Sequence, residues 1–274
     1  MATHSCAERL VSDELWKLVE PLVPPRPPIK HGPTGRPRVP DRAALAGIIF
    51  VLKTGISWND LPAELGCGSG VTCWRRLREW QRAGLWDRLH RTVLDRLGQR
   101  GLLDWSRAAV DSVSVRAKKK GELTGPSPTD RGKADTKYPV LCDRNGLPLH
   151  ALISGANAHD STMLAALLDT NPGVRERRGR PGRPRRRPDK LHARLGIRLS
   201  ALSPLPAPAR HGGSDRPPRC RELLPPRAGA RVVERTMSWL LGFGRLAVRY
   251  DRTVATLSAL LTLACALICH RRLP

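Results

Sequence analysis

Residues 106–115 read SRAAVDSVSV, a run of small and β-branched residues around one acid, Asp111. Such a run predicts a β-strand. A carboxylate in the middle of an apolar strand is costly to bury without a partner or a cation. Asp111 is therefore either a strand acid facing water or a hard-cation ligand on a rigid sheet. Working outward, Tyr138–Cys142 is a second short strand, and Asp143-Arg144-Asn145-Gly146 is a tight turn with an Asn-Gly signal. Leu147–Ser154 returns as a third strand. Asn157–Asp160 can then cap a helix through Met163, Leu164, Leu167 and Leu168. Strand, hairpin and helix in this order predict an α/β or α+β sheet domain.

Upstream the period is helical. Ser12–Leu22 carries Leu15, Trp16, Val19 and Leu22 at helical spacing, and a Pro-rich link follows from Pro24 to Pro40. Asp41 can cap a helix with an apolar face of Ala44, Leu45, Ile48, Ile49 and Leu52, ending at Gly55. A short helical piece around Asn59–Leu65 meets the turn Gly66-Cys67-Gly68. Ser69 caps the next helix, whose apolar positions are Val71, Trp74, Leu77 and Trp80. Residues 85–98 add Leu85, Trp86, Leu89, Val93, Leu94 and Leu97. Helix, Gly turn and helix is a helix-turn-helix-like order. Arg75, Arg78 and Arg82 lie off the apolar stripe of the second helix, where they either reach phosphates and base edges or form a solvated face.

Charge narrows the function. In 274 residues, 48 Lys and Arg face 24 Asp and Glu, a net charge of +24 that points to a polyanionic partner. With 40% apolar residues, full disorder is excluded. Seven cysteines without a C-x-x-C pair argue against a disulfide framework or a zinc ribbon and fit a reducing compartment. His159 and His192 are isolated histidines, a poor zinc set. The N-terminus has no apolar run of the secretory kind. Thr253–Cys269 is apolar over 17 residues, short for a membrane span and diluted by Thr and Ser. It reads as a buried C-terminal helix. The 60 residues between Asn171 and Val232 carry 17 Lys or Arg and four acids, and from Pro139 to Ser238 there is no Phe, Trp or Tyr. Few apolar anchors are left there for a core.

Several long motifs in one order resemble the DDE transposases of bacterial insertion sequences, in the insertion-sequence-five group. They include SDELW (12–16), GRPR (35–38), DRAALAGI (41–48), WNDLPAELGCGSGVTCWRRLREWQRAGLWDRLH (58–90), WSRAAVDSVSVRAKKKGELTGPSPTDRGK (105–133), NAHDS (157–161), VVERT (232–236) and the C-terminal LTLACALIC (261–269). The resemblance spans roughly residues 10–193 and 232–272. It implies a helical DNA-binding domain over 10–100 and an RNase H-like α/β catalytic domain with a mixed sheet over 104–272. It also implies Mg²⁺ (or Mn²⁺) held by an acid triad in which Asp111 is the first acid and Glu234 the third. In such a site two ions activate the attacking oxygen and stabilise the leaving one. His159 and Asp160 are expected to support that site from behind. Arg116, Lys118, Lys119 and Lys120 are expected to hold DNA phosphates, or else to form a solvated loop. The implied partners are double-stranded DNA (terminal inverted repeats and target) and a second copy of the chain. No membrane is expected, and the implied location is the bacterial cytoplasm, at the nucleoid.

The second acid is where the sequence departs from the family. Leu191-His192-Ala193 is followed by Arg194-Leu-Gly-Ile-Arg-Leu-Ser, and the match resumes at Val232. A one-nucleotide shift of CGA and ATA codons here would spell Asp, a variable residue, Ala or Gly, Tyr and Asp. The Arg-, Pro-, Ala- and Gly-rich stretch 194–231 is what a GC-rich gene gives out of frame. It is read as a frameshifted segment, or alternatively as a divergent stretch with a substitute ligand among Asp160, Asp189 and Asp215. Without an apolar strand in it, the sheet is expected to be damaged and 172–231 to lack order. Catalysis is then expected to be impaired, leaving either a crippled transposase or a non-catalytic DNA-binding remnant or repressor.

Overall fold

The computed structural model describes residues 9–25, 38–176, 184–193, 222–224 and 230–274. Among the described residues the N-terminal part is helical, with α1 (Asp13–Val19), α2 (Asp41–Thr54), α3 (Gly70–Arg82) and α4 (Leu85–Gln99). The Ser12 hydroxyl accepts from the Leu15 amide and starts α1; the Ser69 hydroxyl accepts from the Thr72 amide and starts α3. Asp41 is the first residue of α2 rather than its cap. Pro40 holds the cap position, and the Asp41 carboxylate is turned to Arg76 instead.

The expected helical piece before the glycine turn is not an α-helix. It forms two 3-10 turns, Trp58–Asp60 and Ala63–Leu65, separated by Pro62, which has no N–H to continue a helix. A long irregular connection therefore joins α2 to α3, in place of the short turn of a helix-turn-helix. The apolar stripe of α3 also shifts. Cys73, Leu77 and Trp80 are buried while Val71 is exposed. Trp80 meets Trp86 of α4 edge to face at 5.6 Å, and the Trp86 indole N–H donates to the Leu77 carbonyl at 3.2 Å.

A mixed sheet follows: β1 (Ala108–Arg116), β2 (Gly125–Pro126), β3 (Ala134–Asp143), β4 (Pro148–Ala151), β5 (Ser154–Gly155), β6 (Lys190–Ala193) and β7 (Glu222–Leu224). Its main path runs β2-β3-β1-β6-β7, with β4 and β5 also on β3. β1 and β3 are antiparallel over their whole length, while β6 runs parallel to β1 and β7 parallel to β6. Helix α5 (Asp160–Thr170) packs on β3, α6 (Ala230–Leu241) on β1, and α7 (Gly244–Ala247) leads to α8 (Val254–His270).

Of the stretch expected to lack order, residues 172–176, 184–193, 222–224 and 230–231 are described, and they hold two short strands. Parallel pairing of Leu191 with Ala108 and of Leu223 with Leu191 shows that a few apolar residues suffice to extend the sheet. The remainder of the expected frameshifted segment, Asp215 included, lies outside the described residues.

α8 is buried along most of its length and packs on α3, α4 and β4. Its Cys269 thiol lies 3.5 Å from the Pro148 carbonyl. One hydrophobic core thus runs from the N-terminal helices into the sheet layer, across the boundary expected at 100–104. Among the described residues no helix is long and apolar enough to cross a membrane, and the described cysteines are free thiols.

Candidate nucleic-acid interface and acidic site

The two faces of β1 can be assigned from its contacts. The Ser112 hydroxyl donates to Asp160 Oδ1 at 2.9 Å, and Lys137 of β3 donates to the same oxygen at 3.2 Å. Ser112 therefore faces α5. Side chains alternate along a strand, so Asp111 faces the other way. Its cross-strand partner is Val140, two residues from Cys142, whose thiol lies beside Thr236 of α6. Asp111 and the helix carrying Glu234 therefore share one side of the sheet. Asp111 is half-buried, with one carboxylate oxygen accepting from the Ser112 amide at 2.8 Å.

α6 turns Val233, Thr236, Met237 and Leu240 inward, which leaves Glu234 exposed beside the buried row. The helix is anchored at the Asn145–Gly146 turn. Thr236 donates to the Gly146 carbonyl at 2.7 Å and Arg235 to the Asn145 carbonyl at 2.8 Å. Asp111 lies three residues past Ala108, the β1 residue paired with Asp143 at that turn, a step of about 10 Å along the strand.

The second acid is the gap. The last described pair between β1 and β6 is Val110 with Ala193. Asp111 comes next on β1; Arg194, next in the chain, lies outside the described residues. Two of the three substitutes are excluded by position. Asp160 is on the opposite face of the sheet, with Ser112 and Lys137. Asp189 precedes the residue paired with Ala108 by two positions, which puts it about 16 Å short of Asp111 along the strand. It is paired with Arg185 at 2.8 Å instead. Among the described residues no group of three or more His, Cys, Asp or Glu side chains is placed to hold a metal ion. The described donor set offers Asp111 and Glu234 without a third carboxylate, a poor fit to a pair of hard divalent cations. His159 stands at the start of α5 and His192 is buried on β6 beside Ala109.

The basic helix α3 is built more completely. Arg75 and Arg82 are exposed, and Arg78 is half-buried with its guanidinium 4.6 Å over the Trp74 ring. Arg76, which sequence reasoning missed, turns inward. It pairs with Asp41 of α2 and lies 3.7 Å from Glu79, while Arg38 pairs with Glu79 at 3.1 Å. Those acids neutralise the inner charges and leave Arg75, Arg78 and Arg82 for the outer face. At the other end of β1, Arg116, Lys118, Lys119 and Lys120 are all exposed.

Residues 11–90 match the family described as "Putative transposase of IS4/5 family". The chain is 58% identical over 122 residues to the "Insertion element IS402 uncharacterized 16.2 kDa protein" of Burkholderia cepacia, covering 44% of this chain and 83% of that protein. It is 38% identical over 158 residues to the "Putative transposase for insertion sequence element IS402" of the same organism, covering 55% of this chain and 70% of that protein. No solved structure matches. The chain belongs to the insertion-sequence transposases, and within them it is similar to the IS402 proteins.

Proposed function

We propose that the chain binds the terminal inverted repeats of its insertion element as duplex DNA and that its strand-cleavage chemistry is impaired. The outer face of α3 carries the binding part of this reading. Three arginines at positions 75, 78 and 82 project from one helix of a chain with net charge +24. Guanidinium groups donate in a fixed fork that suits phosphate oxygens and guanine edges, and a helix of this width enters a major groove. Arg116, Lys118, Lys119 and Lys120 add phosphate contacts along the strand, and two copies on paired ends complete the assembly. A mixed sheet with helices on both faces supports an RNase H-like catalytic layer.

Impairment rests on the end of β6. Ala193 is paired beside Val110, and the sequence continues with an arginine where the family places an acid. Asp111 and Glu234 would be two of the ligands to Mg²⁺ or Mn²⁺, and the sequence offers an arginine, a like charge, where the second acid is expected. This favours a transposase-derived DNA-binding protein that competes with intact copies for the same ends. The test is equilibrium binding to a terminal-repeat duplex across a salt series. Replacing Arg75, Arg78 and Arg82 with Ala should lower the slope of log affinity against log salt by about 2.7, at about 0.9 per phosphate contact. An unchanged slope places duplex binding elsewhere.

A further inference from the structure

Val71 belongs to the apolar spacing of α3, yet it is 42% exposed. A lone exposed valine is ordinary on a protein surface. This one stands in a row. Positions 71, 75, 78 and 82 follow one another at intervals of four, three and four residues, so they fall on one face of the helix. The buried Cys73, Leu77 and Trp80 point about half a turn away from that face. The outer face of α3 is therefore Val71 followed by Arg75, Arg78 and Arg82, over about 17 Å of helix. We propose that Val71 contacts the 5-methyl group of a thymine in the terminal repeat, and so sets which base is read at the start of the row. The proposal rests on the duplex-binding reading above.

The major-groove edges of the bases are polar except for one group, the thymine methyl. Valine has neither donor nor acceptor. Against a cytosine it would cover the amino group from water without replacing the lost bond. Against a thymine it trades water for contact between methyl groups. The arginines of the row supply attraction to phosphates and guanine edges, and the valine supplies a preference that charge alone cannot. Its placement is fixed, as specific contact requires. The Ser69 hydroxyl caps the first turn of α3 at the Thr72 amide, and Gly70 packs that turn against the Trp58 backbone. Further along, the Arg78 guanidinium is held over the Trp74 ring at 4.6 Å. Glu79, the one acid of α3, is paired with Arg38 at 3.1 Å, which lessens its repulsion of the DNA strands.

The experiment measures the affinity of the full chain for the terminal-repeat duplex and for duplexes in which each thymine in turn is replaced by deoxyuridine. That replacement removes one methyl group and keeps the base pair. At one thymine position, or at two neighbouring ones, it should weaken binding about fourfold, the effect of one buried methyl group. In Val71→Ser that loss should vanish. The salt slope of this variant should equal the parent's, because no phosphate contact is removed. Val71 lies off the core, so serine there leaves the fold in place. Leu102→Ser, at an exposed apolar residue outside α3, should keep the parent's response to deoxyuridine. The proposal is overturned if no thymine position responds, if the response persists in Val71→Ser, or if Leu102→Ser abolishes it. A lowered salt slope in Val71→Ser overturns it too. Each of these leaves duplex binding through the arginines standing. A slope unchanged by replacing Arg75, Arg78 and Arg82, or no binding of the duplex, overturns both.

Discussion

The Thr236 hydroxyl donates to the Gly146 carbonyl at 2.7 Å in a fully buried position, tying the helix that carries Glu234 to the hairpin turn beside β1. Thr236→Val keeps the shape and removes the donor, leaving a buried carbonyl unpaired. The expected cost is about 2 kcal/mol. At about 2–4 °C per kcal/mol, thermal denaturation should show the Tm lowered by about 4–8 °C. An unchanged Tm would mean that the contact does not anchor the helix.

Gly70 opens α3 against the backbone of Trp58. A Cβ there would fall 1.6 Å from the Trp58 carbonyl oxygen, so the start of the arginine-bearing helix would have to move. Gly66 differs: its φ is +66° but nothing lies within 4 Å of an added Cβ. Gly66→Ala should cost about 1–2 kcal/mol of backbone strain, and Gly70→Ala about 3 kcal/mol or more from overpacking. Denaturant titration of both variants checks the order; equal costs would refute the close approach.

His90 sits under the sheet with Nε2 2.9 Å from the Pro148 carbonyl, and burial pushes its imidazole down to about 4. Its folded value lies below the unfolded value of about 6.5. Its contribution is therefore complete above that pH and lost as pH falls through 6.5 toward 4. The slope is about 1.4 kcal/mol per pH unit in that window. His150, also lowered to about 4 by burial, acts in the same direction. Asp143, which burial raises to about 6, opposes them, since its contribution is lost as pH rises toward 6. His90→Gln can keep the bond to Pro148 without titrating. Stability measured from pH 7 to pH 4 should fall less steeply in that variant than in the parent. Parallel curves would contradict the assignment.

Much of this architecture was legible in sequence. The Asn145-Gly146 turn, the strand around Asp111 and the apolar rows of α4 and α8 are local patterns, and the structure holds them where local patterning puts them. What was not legible depends on partners far apart in the chain. Arg76 resembles its outward neighbours until Asp41, 35 residues away, turns it inward. Arg249 is buried on carbonyl groups that no sequence pattern marks. Asp160 lies within a family motif, yet only its bond to Ser112 shows that it lies across the sheet from Asp111. The helix expected before α3 failed for a local reason, since Pro62 splits it.

The most direct test of the account is a nicking assay on supercoiled plasmid carrying the element's terminal repeats, run with and without Mg²⁺ alongside a gel shift on the same DNA. A retarded complex should form with or without Mg²⁺, with no Mg²⁺-dependent nicking. Mg²⁺-dependent nicking that disappears in Asp111→Asn would contradict it, showing that the chain assembles a working metal site despite the arginine at position 194.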